Sequence, residues 1–182
     1  MLPRMKFLPG SSDDLLRLIA EHPLAWLVSN SSRGFEATPL PLVAETNADG
    51  ELVALIGHCS RFNAQVEDLH YDDRAVILFC GPHGYISPSM VSQKHWAPTW
   101  NFAVAVISVT LEFEPDSTLV AIDKLVEHME ADQVVPWTLA DVGNRLEPLM
   151  SRIIGFRALV SSIDARFKLG QDDNWLNRHC FA

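Results

Sequence analysis

The stretch Thr99–Glu114 constrains this chain more than any other part of it. Val104, Val106, Ser108 and Thr110 alternate there with Ala105, Ile107, Val109 and Leu111, so an extended backbone puts a wholly apolar face opposite a mixed one. A long strand of that kind is what a barrel wall requires. Further strands are predicted at Leu24–Ser29, Phe35–Ala44, Glu51–Gly57, the β-branched run Ala75–Cys80 and a closing Gly155–Leu169, with hairpin turns at Asn30–Gly34 and Asn47–Gly50. Helices are predicted from a cap at Ser11 or Ser12 to Pro23, from a cap at Ser60 through Leu69, after the caps Asp116 and Ser117 along Leu119, Ile122, Val126 and Met129, and over Thr138–Ile153. Gly81–Pro98, rich in proline and glycine, reads mostly as loop. Hairpin-linked strands with helices inserted late describe a mainly β, α+β fold: a small closed or half-closed barrel decorated by helices, not a βαβ repeat. No shift of composition divides the chain, so residues 1–182 are expected to form one domain.

Charge and cysteine usage narrow the partners. The formal net charge is −9, from 14 basic and 23 acidic side chains, which disfavours direct binding to nucleic acid because phosphate neutralisation needs surplus lysine and arginine. Any anion must be held by a few local donors. Cys59, Cys80 and Cys180 form no C-x-x-C pair and read as reduced, buried residues. With no signal-peptide core and no membrane-length apolar run, the expectation is a soluble, cytoplasmic protein without membrane partners. The histidines show no metal-ligand spacing, and no metal site is expected.

Four segments carry candidate chemistry. Gly57-His58-x-Ser60-Arg61-x-Asn63 brings a guanidinium, a hydroxyl and helix-start amides to the end of a strand, a place suited to a phosphate; it reads equally as a capped surface helix with an exposed arginine. Phe35–Ala44 carries Pro39 and Pro41, which lack amide donors, so that strand lies at an edge or turns its unpaired side to a ligand or cleft. Gly81–Ser89 has a constrained backbone with polar tips at His83, Tyr85 and Ser87. Trp100 and Phe102 flank Asn101 at the start of the longest strand, where they suit a planar ligand, a subunit interface or the core.

At these segments the chain resembles the FMN-binding negative transcriptional regulators of the PaiB type. That family's G-P-H-x-Y-I-S-P-S-W and V-P-T-W-N-Y stand here as GPHGYISPSM (81–90) and APTWNF (97–102). Its G-H-x-A-R-x-N-x-Q stands as GHCSRFNAQ (57–65), its x-A-T-x-L-P-L as EATPLPL (36–42), and its I-V-G-F and K-L-S-Q-N-R as IIGF (153–156) and KLGQDD (168–173). The likeness spans about residues 1 to 172. It implies a split β-barrel homodimer with FMN at the subunit interface and a role in transcriptional regulation. By motif it implies cofactor contacts from Thr38, His58, Ser60, Arg61, Asn63, Lys168 and Gln171, with Trp100 and Asn101 reaching the ring from the partner. The chain departs from the pattern at Ser60, Met90, Phe102 and Gly170, and at Asp172–Asp173, where carboxylates replace Asn-Arg. Alternative readings are a flavin- or haem-dependent oxidoreductase on the same barrel, or a regulatory protein without a cofactor. No catalytic residue is assigned.

Overall fold

The computed structural model describes residues 4–91, 95–114 and 118–171. Seven strands form one antiparallel sheet: β1 (Leu24–Ser31), β2 (Gly34–Pro41), β3 (Val43–Thr46), β4 (Leu52–Ser60), β5 (Arg74–Ile86), β6 (Thr99–Phe113) and β7 (Ile153–Lys168), in spatial order β2-β1-β5-β6-β7-β4-β3. The alternation in β6 is realised as expected. Ala103, Ala105, Ile107, Val109 and Leu111 all turn into the core, with Ile107 wholly buried.

The predicted strand over Phe35–Ala44 is two strands, and the break explains the barrel. β2 and β3 are separated in sequence by Leu42 alone yet lie at opposite edges of the sheet, so the sheet curls until its edges meet there. Leu42 is fully buried at that seam, and its amide donates to the Pro23 carbonyl at 2.9 Å. No ladder joins the edges, so the barrel is split rather than closed. Pro39 and Pro41 sit on β2, an edge strand, where a missing amide donor is tolerated.

Three further expectations are corrected. Gly81–Ile86 continues β5 instead of forming a loop. A bulge between Cys80 and His83 accommodates Pro82, and pairing with β6 then resumes to Ile86 opposite Thr99. The helix predicted over Thr138–Ile153 is broken into a 3₁₀ segment, Leu139–Arg145, and the short helix α4 (Leu146–Met150), because Gly143 adopts φ +59°. The helix after β4 is α2 (Ala64–Tyr71), capped by Asn63, whose side chain accepts from the Gln65 amide, and not by Ser60.

Helix α1 (Ser12–Glu21) is capped by Ser11 and buries Leu15, Leu18 and Ile19. Helix α3 (Thr118–Glu130) packs its first residue on β7, where the Gly155 amide donates to Thr118 Oγ1 at 2.8 Å. A β-carbon on Gly155 would stand 2.7 Å from Thr118 Cα, so only glycine admits this approach. The predicted caps Asp116 and Ser117 lie outside the described residues, as do Asp172, Asp173 and Cys180. Cys59 is buried, and burial pushes its thiol up to about 11, but Cys80 is exposed, contrary to expectation, because it falls on the outward face of β5. Among the described residues no helix is long and apolar enough to cross a membrane.

Candidate functional site

The sequence-predicted residues fall into two groups at opposite ends of β7. The first occupies the corner where β4 leads into α2. His58 and Ser60 pair with Gly155 and Ile153 at the start of β7. Thr38 faces this corner from β2 and is tied to it through Gln65. That glutamine is almost fully buried and fills the open seam. Its Nε2 donates to Ser29 Oγ at 2.9 Å, the Glu36 carbonyl at 3.1 Å and the Leu27 carbonyl at 3.3 Å, and its Oε1 accepts from Thr38 Oγ1. Asn63 Nδ2 donates to Thr38 Oγ1 at 2.9 Å. The polar atoms of Thr38 and Asn63 are thus engaged in clamping α2 across the seam. Gln65 closes the GHCSRFNAQ motif but does not stand out in the sequence as a site residue, because its partners on β1 and β2 lie far from it along the chain.

Arg61, like Arg145 and Arg152, meets no carboxylate among the described residues. Arg17, Arg33, Arg74, Arg157 and Arg166 each meet a carboxylate. The exposed guanidinium of Arg61 meets none of the described residues, while its backbone amide donates to the Arg152 carbonyl at 2.9 Å. Ser60 Oγ accepts from the Phe62 amide at 3.2 Å, which leaves its hydroxyl hydrogen available to a ligand. Nearby, His58 Nδ1 is buried with no hydrogen-bond partner, and burial holds the imidazole below its ordinary pKa of 6.5, favouring the neutral ring.

The second group lies at the β5–β6 hairpin and the end of β7. Trp100, half-exposed, stands opposite Tyr85, with ring centroids 6.0 Å apart, and near the His83 ring at 6.3 Å. Asn101 Oδ1 is buried and unpartnered. Lys168 lies opposite Phe102 and donates to Thr99 Oγ1. Gln171 is turned back on its own strand end, accepting from the Leu169 amide at 2.6 Å and donating to the Phe167 carbonyl. A cavity of about 650 Å³ beside it is lined chiefly by α1 and barrel residues, including Leu18, Ala103 and Phe167. Among the described residues no cluster of three or more His, Cys, Asp or Glu could hold a metal ion.

Gly155 and Lys168, which mark the two groups on β7, are 13 residues apart along the strand. The outward face of the sheet carries an apolar patch beside the second group. Trp26, Leu78 and Val106 lie side by side across β1, β5 and β6, with Trp26 49% and Val106 39% exposed. Leu24 and Val104 extend this surface, and the alternation of β6 carries it on to Trp100.

The chain is a split antiparallel barrel with an arginine that meets no described carboxylate at one end of β7 and a group of aromatic rings at the other. Over residues 1–162 the chain matches the family described as "Putative FMN-binding domain", and it belongs to that family. Its cofactor is FMN. It is 28% identical over 167 residues to the Protease synthase and sporulation protein PAI 2 of Bacillus subtilis (strain 168), covering 90% of this chain and 79% of that one. Its fold is shared with the FAD and heme binding protein from Mycobacterium smegmatis, at a TM-score of 0.68 and 13% identity over 92% of this chain and 74% of the other. The Flavocytochrome Anf3 from Azotobacter vinelandii matches at a TM-score of 0.61 and 9% identity over 87% and 68%. The β4 corner fits the phosphate of such a cofactor, since it offers an unpaired guanidinium and a hydroxyl donor with an orphaned buried imidazole nitrogen beside them.

Proposed function

We propose that the protein works as a homodimer in which each FMN is held by the β4 corner of one chain and the aromatic hairpin of its partner. The observation that carries this reading is the placement of the cationic and aromatic groups at opposite ends of β7, with an exposed apolar patch on the outward face beside the aromatic end. A surface with Trp26, Leu24 and Val106 exposed in one patch has the composition of an interface core.

In this arrangement Arg61 forks onto the phosphate, Ser60 donates a hydroxyl to it, and the neutral His58 ring lies alongside without adding charge. Trp100 and Tyr85 of the partner cover the planar end and exclude water, and Asn101 Oδ1 offers an acceptor to an imide N–H. FMN, when bound, supplies the electron and hydride transfer chemistry, and the chain supplies position and electrostatics. With a net charge of −9, a regulatory role would act through the flavin and a protein partner rather than by gripping an operator.

Sedimentation combined with flavin titration tests the proposal. The wild type is expected to run as a dimer that binds one FMN per chain. Val106→Arg puts a bulky charged side chain in the apolar patch and should yield monomers that no longer retain flavin. A Val106→Arg protein that is monomeric and binds FMN as the wild type does would overturn the shared site.

A further inference from the structure

We propose that Arg152 is the second cation of the phosphate site, acting with Arg61 as a cross-strand pair that selects a phosphate monoester dianion; the proposal rests on the FMN reading above. The register carries it. Ser60 and Ile153 are the last pair of the β4–β7 ladder, and one step beyond it the Arg61 amide donates to the Arg152 carbonyl at 2.9 Å. Two arginines in the flanking turns therefore stand opposite one another across the ladder's end.

Like charges so placed repel, and a chain with 23 acidic side chains has ample means to neutralise them. It does not. Both residues are exposed, and neither guanidinium forms a hydrogen bond or ion pair with any described residue, whereas Arg17, Arg33, Arg74, Arg157 and Arg166 all do. An anion carrying two negative charges removes the repulsion and uses both planar forks.

The backbone holds the pair in place. The Arg152 amide donates to the Leu149 carbonyl at 3.1 Å as α4 ends, and Arg61 is flanked by the Ser60 and Asn63 turns. Both arginines therefore stand on fixed main chain, which lowers the entropy cost of gripping a ligand. Sequence alone does not reveal the pair, because Arg152 lies far along the chain and becomes a neighbour only through the β4–β7 register.

The test is a flavin fluorescence titration of wild type, Arg152→Gln and Arg152→Lys with FMN and with riboflavin, which lacks the phosphate. Arg152→Gln is expected to lose about tenfold or more in FMN affinity and nothing for riboflavin, with Arg152→Lys in between. Inorganic phosphate should compete with FMN and should raise the Tm of the wild type more than that of Arg152→Gln. Unchanged FMN affinity in Arg152→Gln, or equal losses for both flavins, overturns the assignment. A wild type that binds neither flavin defeats the FMN reading instead, and the arginine pair then stands or falls on the difference in phosphate-induced Tm.

Discussion

At its Ile153 end β7 lies beside Ser60, Arg61 and Arg152, where donors outnumber acceptors and the guanidiniums are free. At its Lys168 end it lies beside Phe102 and the Tyr85–Trp100 pair, where the rings are exposed and Lys168 is occupied by Thr99. A flavin nucleotide has these same two characters, a doubly charged phosphate and a planar aromatic system. The comparison shows two ends of one strand with complementary characters. Under the dimer proposed above, each would supply half of a flavin site and a second copy would bring the halves together.

Substitutions at the two ends should therefore fail differently. The largest effect is expected at the cationic end. Arg61→Ala removes a charge-assisted pair worth about 1.5–3 kcal/mol, roughly a ten- to hundredfold loss of FMN affinity. Riboflavin binding should be unaffected, and the FMN loss should shrink as salt rises. Trp100→Ala should cost less, about 0.5–1.5 kcal/mol, and should weaken FMN and riboflavin alike in the same titration. If Arg61→Ala weakens both flavins equally, the phosphate assignment fails.

The smallest effect concerns His58. Because burial lowers its pKa in the folded protein, between the folded and unfolded pKa the unfolded chain binds a proton that the folded chain refuses. Its contribution to stability is therefore intact above about pH 6.5 and declines as pH falls below it. Replacing His58 with Gln should flatten this part of a denaturation profile taken from pH 7.5 to about 5. A profile as steep as the wild type's would place the acid sensitivity elsewhere.

What could be read in advance follows from range. The face of β6, the capped α1 and the edge position of the proline-bearing strand are local patterns, and Arg61 stands out as a candidate because a strand end, a serine and an arginine fall within one turn. The extension of β5 through Gly81–Ile86 was hidden, because a bulge makes Pro82 acceptable where composition argues for loop. The splitting of Phe35–Ala44 was hidden for another reason: only the curl of the whole sheet shows that Leu42 passes from one edge to the other. Gln65 and Arg152 depend on pairing between distant segments, and no local period encodes that.

The most direct test of the account is complementation between two defective chains. Arg61→Glu and Trp100→Ala proteins, each poor at retaining FMN alone, are unfolded, mixed and refolded together, and FMN bound by the mixture is measured against the separately refolded parents. If each site takes its arginine from one chain and its tryptophan from the other, mixed dimers contain one site with both native residues, and binding of wild-type affinity returns in the mixture. If Arg61 and Trp100 serve one flavin from the same chain, or dimers play no part, no intact site forms. The mixture then binds no more than the average of its parents, contradicting the shared site.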